Sequence, residues 1–538
     1  MSSDQTDRVR TVAVPLGPPK PELSRARVAL LVLVLAGLVF GGFELVSRGT
    51  PAADAKSSAE PVYAPYVDVT QTPTYPFQIP SANPVSSVYL AFVVSDRAHP
   101  CTPSWGGYYS LSEAEQALDL DARTAQLRKE GGSVMISFGG RDNTELAVGC
   151  TDAAKLADAY RAPLERYHSS TIDLDLEGAA LDDVGANTRR AAAIAAIQKQ
   201  FSAHRTPLRV WLTLPVSRGG LSAAGIAAVR SMLAAHVELA GVNAMAMDFG
   251  SDEHAPGAML RAVEASLNAT QAQVQSLWRA GGLPSSQSAA WGHVGATVML
   301  GVNDSPVEQF TTADAQGLAG FVSRHGIPRV SAWSLNRDAA CGGAFAQTGI
   351  VSNTCSGVLQ KPLQFTQIFG SLKGTRTANA DASSGTPVER TANGPADDPA
   401  QSPYPIWRST AAYGTGYKVV WQHEIYQASW WTQGTPPDGG SGTQGGDPWQ
   451  PIGPVPPGSR APKLELLVHG TFPAWSPDSV YQQGDRVTYA GLPYQARWYT
   501  KGDQPVAALP ADPGAPWQPL FKAPGEPTAV STGTEGPP

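Results

Sequence analysis

Closely spaced cysteine pairs are missing from this chain. Its four cysteines, Cys101, Cys150, Cys341 and Cys355, form no Cys-x-x-Cys unit, which argues against zinc and leaves disulfides in an oxidising compartment as their use. Three pairings are possible. Cys341 and Cys355 share one loop-like stretch, so Cys341–Cys355 with Cys101–Cys150 is expected. Basic charge is not in excess either: 39 basic and 46 acidic residues give a formal net charge of −7, so nucleic acid is not expected as a partner. No glycine-rich phosphate loop follows the first β-type run, which weighs against an open, doubly wound sheet.

Long apolar runs are scarce. The one present, Val28–Phe43, extends through Leu45 and Val46 and is preceded by Lys20, Arg25 and Arg27. Basic residues on that side place the remainder of the chain outside the cytoplasm. Two readings stand: residues 28–46 are a retained transmembrane signal anchor behind an n-region at 1–27, or a signal peptide cut near Ala53-Asp54-Ala55. In both, the bulk of the protein is exported, and the anchor reading ties it to the membrane.

What is present is an acidic ladder. Residues 170–177 read Ser-Thr-Ile-Asp-Leu-Asp-Leu-Glu. On a strand, Thr171, Asp173, Asp175 and Glu177 share one face, and Ile172, Leu174 and Leu176 the other. Apolar neighbours on both sides in sequence imply that both faces are covered. Three carboxylates so placed cannot all stay ionised, so at least one keeps a proton near neutral pH. A protonated carboxyl beside ionised ones is the equipment of a glycosidase general acid.

Eight β-type runs, starting at Val62, Ser87, Ser133, Thr171, Leu208, Gly241, Gly295 and Arg329, alternate with Ala-rich helical segments between residues 61 and 370. That alternation predicts an α/β fold, a (β/α)8 TIM barrel, with catalytic groups at the C-terminal strand ends. Residues 371–402 are Thr, Ala, Asn, Asp, Ser, Gly and Pro with almost no large apolar side chain, and read as a flexible linker.

Beyond it the chain repeats itself. Trp407, Tyr413, Gly416, Val419, Tyr426, Gln427, Ala428, Trp430, Thr432 and Gly434 all recur 68 residues later, from Trp475 to Gly502. Two small all-β modules are expected, at 403–455 and 471–522, then a disordered tail at 523–538. Eight of the 13 tryptophans fall here, more than such short modules can hide. Trp407, Trp475, Tyr426 and Tyr494 are expected in mini-cores. Trp430, Trp431, Trp498 and Tyr499 are expected to be exposed platforms that stack on sugar rings.

The octet resembles the D-x-x-D-x-D-x-E signature of glycoside hydrolase family 18, the chitinases and related N-acetylglucosaminidases. Ser137-Phe138-Gly139-Gly140, Met245-Ala246-Met247-Asp248-Phe249-Gly250, Gly301-Val302-Asn303-Asp304 and Trp333-Ser334-Leu335-Asn336-Arg337-Asp338 resemble the motifs of its third, sixth, seventh and eighth strands, the sixth in the bacterial branch. Tyr426 to Gly434 resembles the chitin-binding modules of carbohydrate-binding families 5 and 12. The resemblance implies a retaining, substrate-assisted mechanism with no metal or organic cofactor, acting on chitin or another N-acetylglucosamine polysaccharide; the alternatives are a non-catalytic chitin-binding protein, against which the intact Asp173, Asp175 and Glu177 argue, and an N-acetylglucosaminidase acting on peptidoglycan or N-glycans. Glu177 is then the acid and base, Asp175 orients the acetamido group, and Asp173 shares a proton or hydrogen bond with Asp175. Met247, Asp248 and Trp333 are expected at the sugar, Trp105 is a further subsite candidate, and a monomer is expected. Ser170 stands where the signature has Asp, and Phe249 where related sequences often have Tyr.

Overall fold

The computed structural model describes residues 62–526, apart from 251–256, 306, 343–350, 373, 375–395, 438–446, 462–464, 467, 469, 506–514 and 523–524. The apolar run at 28–46 and most of the expected linker lie outside the described residues. No helix among the described residues is long and apolar enough to cross a membrane.

Among the described residues, eight parallel strands form a barrel: β1 (Tyr66–Asp68), β2 (Ser87–Ser95), β3 (Ser133–Gly139), β4 (Thr171–Asp175), β5 (Arg209–Ser217), β6 (Leu239–Met245), β7 (Val294–Met299) and β8 (Arg329–Trp333). The ring closes where the Ala64 N–H donates to the Val330 carbonyl at 3.1 Å and the Val330 N–H to Val62 at 2.6 Å. Each strand splits its side chains by the two-residue pleat. On β4, Ile172 and Leu174 join the large core beneath the helices, and Val210, Leu212, Val242, Val298 and Val330 of other strands join the same layer. The inward set is unusually polar: Asp173, Thr213, Asn243, Thr297, Ser331 and Arg329 are all buried.

The surrounding helices include α1 (Leu111–Leu118), α2 (Leu120–Lys129), α3 (Ala153–Arg166), α4 (Val184–Ala203), α5 (Ala223–Ala234), α6 (Ala258–Ala280), α7 (Thr312–His325) and α8 (Gln364–Gly370). Their starts follow from the sequence. Ser110 with Glu113, and Thr311 with Asp314, form reciprocal capping boxes that occupy otherwise unpaired N–H groups. Asp152, Asp183 and Ser222 cap α3, α4 and α5 in the simpler way. Cys101 is bonded to Cys150, pinning the loop after β2 to the one after β3, and Cys341 is bonded to Cys355.

The two C-terminal repeats fold alike. In the first, β9 (Lys418–Trp421), β10 (Glu424–Ala428) and β11 (Trp449–Pro454) form an antiparallel sheet, and Ala412–Tyr413 pairs with Thr432–Gln433. In the second, β12 (Arg486–Tyr489), β13 (Leu492–Ala496) and β14 (Trp517–Pro519) do the same, and Val480–Tyr481 pairs with Thr500–Lys501. Tyr426 with Trp449, and Tyr494 with Trp517, are buried in the two small cores, with Trp407 and Trp475 packed against them.

Two features depart from the sequence reading. The first module is packed on the barrel: Val420, Ile425 and Ile452 form one apolar cluster with Ala122 of α2. The chain past Lys522 is not wholly a loose tail, because the Gly525 carbonyl accepts the Lys418 N–H at 2.8 Å. A side chain at Gly525 would place its Cβ 2.4 Å from the Lys418 carbonyl oxygen, so this close approach needs glycine.

Candidate active site

The acidic face of β4 points into the barrel because its alternate residues are the large aliphatics that the helices cover. Asp173 is fully buried and accepts four hydrogen bonds among the described residues. Ser137 and Tyr66 donate to Oδ2 at 2.7 and 2.8 Å, and Thr213 and Arg329 to Oδ1 at 2.6 and 2.8 Å. Arg329 is itself buried, with its guanidinium carbon 4.0 Å from the centroid of the Tyr89 ring. A buried carboxylate so paired and hydrogen-bonded avoids most of the penalty of an isolated charge.

Asp175, one pleat further toward the C-terminal end, lacks such support. Its Oδ1 is buried and has no hydrogen-bond partner among the described residues. Burial, then the nearby carboxyls of Glu177 and Asp173, push its pKa well above the usual carboxylate range, against the pull of Arg329. The expected hydrogen bond between Asp173 and Asp175 is not formed in this state, since the four donors around Asp173 occupy both of its oxygens.

Glu177 follows the end of β4 with an extended backbone. Burial raises its carboxyl from 4.5 to about 7; Arg141 opposes that, and Asp248, Asp142 and Asp304 add to it. Near neutral pH this group can both give and take a proton, the property a general acid and base needs.

The β3 motif has a backbone role. A Cβ at Gly139 would lie 2.0 Å from the Asp175 carbonyl oxygen, and Gly139 has a φ of +102°. The bare glycine lets the Gly140 N–H reach that same oxygen at 3.0 Å, which fixes the end of the acid-bearing strand.

The three β4 residues sit unequally in the cavity. Asp175 and Glu177 line an open cleft of about 530 Å³ at the C-terminal strand ends, together with Met247, Asp248 and Trp333, whereas Asp173 lies beneath its floor. Trp333 is half-buried and stacks on Phe92 at 5.3 Å and 17°. Asp248 has a left-handed backbone, φ +53°, and accepts the Ser305 N–H at 3.1 Å. The loop holding it is clamped by Glu308, whose carboxylate accepts the N–H groups of Phe249 at 2.9 Å and Gly250 at 2.5 Å. Burial, foremost, raises the Asp248 carboxyl.

Trp105 does not join the site. It is fully buried, its indole N–H donates to the Tyr167 hydroxyl at 3.1 Å, and it belongs to the main core. The hairpin that carries it turns at Gly106 and Gly107, and brings Tyr108 to the cleft instead, 63% exposed with Arg97 over its ring. Phe249 packs toward the core and does not line the cleft, and Ser170 is exposed behind the first residue of β4. Sequence reading also missed Tyr66, Arg141 and Arg329. Arg329 shares a strand face with Ser331 and Trp333, and a cation on that face was the available signal: a buried carboxylate ladder needs one.

In the repeated modules, Trp430, Trp431, Trp498 and Tyr499 are 44, 62, 43 and 60% exposed, unlike the buried aromatics beside them.

Comparison with known proteins agrees with this architecture. Residues 474–518 match carbohydrate-binding module family 5/12. The chain is 32% identical over 304 residues to a protein of Escherichia coli K12 named "Probable bifunctional chitinase/lysozyme", and 30% identical over 298 residues to "Endochitinase 11" of Metarhizium anisopliae. Each match covers 54% of this chain, but it spans 32% of the bacterial protein and 54% of the fungal one. The solved catalytic domain of a hyperthermophilic chitinase from Pyrococcus furiosus superposes with a TM-score of 0.50 at 25% identity, over 59% of this chain and 97% of that one. The barrel is a chitinase-like catalytic domain of the glycoside hydrolase family 18 type, followed by a C-terminal carbohydrate-binding module of family 5/12.

Proposed function

We propose that this protein hydrolyses the β-1,4 linkages of chitin with retention of configuration, using the substrate's own 2-acetamido oxygen as nucleophile. The observation that carries the reading is that Asp175 and Glu177 share one cleft with both carboxyls raised, Glu177 foremost by burial and Asp175 by burial and then by the nearby Glu177. Glu177, poised at about 7, protonates the leaving oxygen and then takes a proton from water. Asp175 releases its proton to solvent as the substrate's acetamido N–H reaches it, and when the acetamido oxygen attacks, the ionised carboxylate accepts that N–H and offsets the charge of the oxazolinium ion. Asp173, anchored by Arg329, Tyr66, Ser137 and Thr213, holds a fixed negative charge below that residue. Trp333 supplies the apolar floor, and Met247 and Asp248 flank the sugar.

The modules bind the insoluble polymer through Trp430, Trp431, Trp498 and Tyr499. Two disulfides support folding in an oxidising compartment, so the protein acts outside the cytoplasm, anchored by residues 28–46 or released after their removal. No nucleic acid, metal or organic cofactor takes part, and the protein works as a monomer.

Glu177→Gln tests the assignment. The substitution is nearly isosteric and removes only the transferable proton, so hydrolysis of chitin oligomers should vanish while adsorption to solid chitin persists. Substantial residual turnover would sink it. Running the unaltered protein on peptidoglycan in parallel, with products identified by mass, decides the substrate class.

A further inference from the structure

We propose that Arg141 and Asp304 form a strap across the mouth of the cleft, that the polysaccharide chain lies beneath it during hydrolysis, and that a long chain enters from the side only when the pair parts. The inference rests on reading the protein as a polysaccharide hydrolase, and it adds how the chain reaches and keeps its place in that site.

The order of the strands places the pair. Arg141 follows β3 and Asp304 follows β7, which stand opposite each other in the closed ring, four strands apart in either direction. The Arg141 guanidinium nevertheless bonds the Asp304 carboxylate, so the two side chains meet over the opening. Both line the cleft, and their side chains are 70 and 41% exposed, whereas Asp173 and Asp175 below them are buried. After burial itself, Arg141 lowers and Asp304 raises the Glu177 carboxyl, so both stand within electrostatic reach of the acid.

A line drawn from β3 to β7 divides the cleft. Glu177 and Asp248, which follow β4 and β6, are on one side. Trp333 of β8, Tyr66 of β1 and Phe92 of β2 are on the other. A sugar stacked on Trp333 with its glycosidic oxygen at Glu177 has to cross that line. The pair is the exposed layer and the carboxyls are the buried one, so the sugar crosses underneath.

Both feet of the strap are fixed. On the β3 side, the Gly140 N–H donates to Asp175 at 3.0 Å and Asn143 Oδ1 accepts Arg97 Nη2 at 3.2 Å. Two residues further on, Glu145 is buried in an ion pair with Arg190 at 2.6 Å. On the β7 side, Asn303 Nδ2 donates to the Met299 and Gly301 carbonyls at 3.2 and 2.9 Å, and the Ser305 N–H donates to Asp248 at 3.1 Å. Opening therefore needs the two side chains to separate, not the loops to unfold. An exposed ion pair is weak and screened by salt, so it parts and re-forms readily. Re-formed over a bound chain, it blocks sideways escape after a cut, and the next linkage is reached before the chain is lost.

A covalent strap separates this account from a purely electrostatic one. The native cysteines are bonded in two disulfides, so Arg141→Cys with Asp304→Cys supplies two thiols that bismaleimidoethane can join across the mouth. The same variant is measured before and after linking. Linking should lower efficiency on soluble glycol chitin, which is cut within long chains, roughly tenfold, while efficiency on the N-acetylglucosamine tetramer, short enough to thread beneath, stays within about threefold. Equal loss on both substrates would mean that no sugar passes under the pair, and unchanged glycol chitin turnover would mean that the pair guards nothing. Either result overturns the proposal. The opened variant Arg141→Gln with Asp304→Asn keeps the summed charge of the pair, and on solid chitin its ratio of soluble to insoluble new reducing ends should fall about threefold as chains escape after fewer cuts. An unchanged ratio overturns the hold on the chain. Failure of the unaltered protein to cleave the tetramer at all would instead strike the hydrolase reading beneath it.

Discussion

Arg329 and Asp173 meet at 2.8 Å inside the barrel with both side chains almost wholly shut off from solvent. The pair joins β8 to β4 across the interior, and Tyr66 completes it by hydrogen-bonding both partners at 2.8 Å. The lowest carboxylate of the acidic ladder is thereby balanced. The excess negative charge that must be resolved by protonation is confined to Asp175 and Glu177, the residues that reach the cleft.

Removing one member of this pair should be costly. Arg329→Met leaves Asp173 buried without its cation, and the barrel should lose about 3–5 kcal/mol in denaturant unfolding. Arg329→Lys should lose less, because a cation remains. A Met variant within about 1 kcal/mol of the parent would mean that the three hydroxyl donors suffice.

The pH profile should report Glu177. Its raised carboxyl must be protonated to act as acid, so kcat/KM should fall as pH rises through about 7. Arg141 holds that pKa down and Asp248 pushes it up, after the larger effect of burial. Arg141→Ala should therefore move the alkaline limb to higher pH, and Asp248→Asn should move it to lower pH. Shifts of the opposite sign, measured on a short soluble oligomer, would remove Glu177 from the role.

The same carboxyl should weaken the fold. Between 4.5 and about 7 the native protein keeps a proton on Glu177 that the unfolded chain has released. Stability therefore falls as pH rises across that window, and the penalty stays in full above it. Glu177→Gln should raise the barrel's melting temperature at pH 8, by a free energy of about 3 kcal/mol, and leave it unchanged at pH 4. Equal gains at both values would point to packing rather than charge.

Adsorption should depend on the exposed rings. With each stacked aromatic worth on the order of 1 kcal/mol, Trp430→Ala combined with Trp498→Ala should weaken binding to solid chitin by at least tenfold. Turnover of the tetramer should hold. Truncation after Gly370 should abolish adsorption, but it also uncovers Asp119 and Ala122, so a modest loss of thermal stability is expected with it.

The barrel was legible in the sequence because each strand alternates aliphatics for the helix side with small or polar residues for the interior, as Ile172 and Leu174 do around Asp173. Spacing of 68 residues made the repeat visible, and proximity in sequence was enough to choose Cys341 with Cys355. The site was only partly legible. Trp105 and Tyr108 are three residues apart on one hairpin, and the turn at Gly106 and Gly107 decides which ring reaches the cleft. Arg329 and Asp173 are 156 residues apart, and no local pattern in either strand names the other. The contact of the first module with α2 depends on single residues spread over two domains, so composition pointed to the linker and said nothing of the docking.

One consequence of the paired modules concerns their order. The two copies share a three-stranded sheet and a short two-stranded pairing, yet the Val420, Glu424 and Ile425 contacts to the barrel belong to the first, and Gly525, just past the second, leans on Lys418 of the first. Assembly is thus directional, like a stack in which each layer has a distinct underside. Exchanging the copies would place Thr488 and Pro493 against Ala122 and leave an apolar face with no seat. A chain built in that order would keep all four exposed rings while losing the seat of the first module on the barrel.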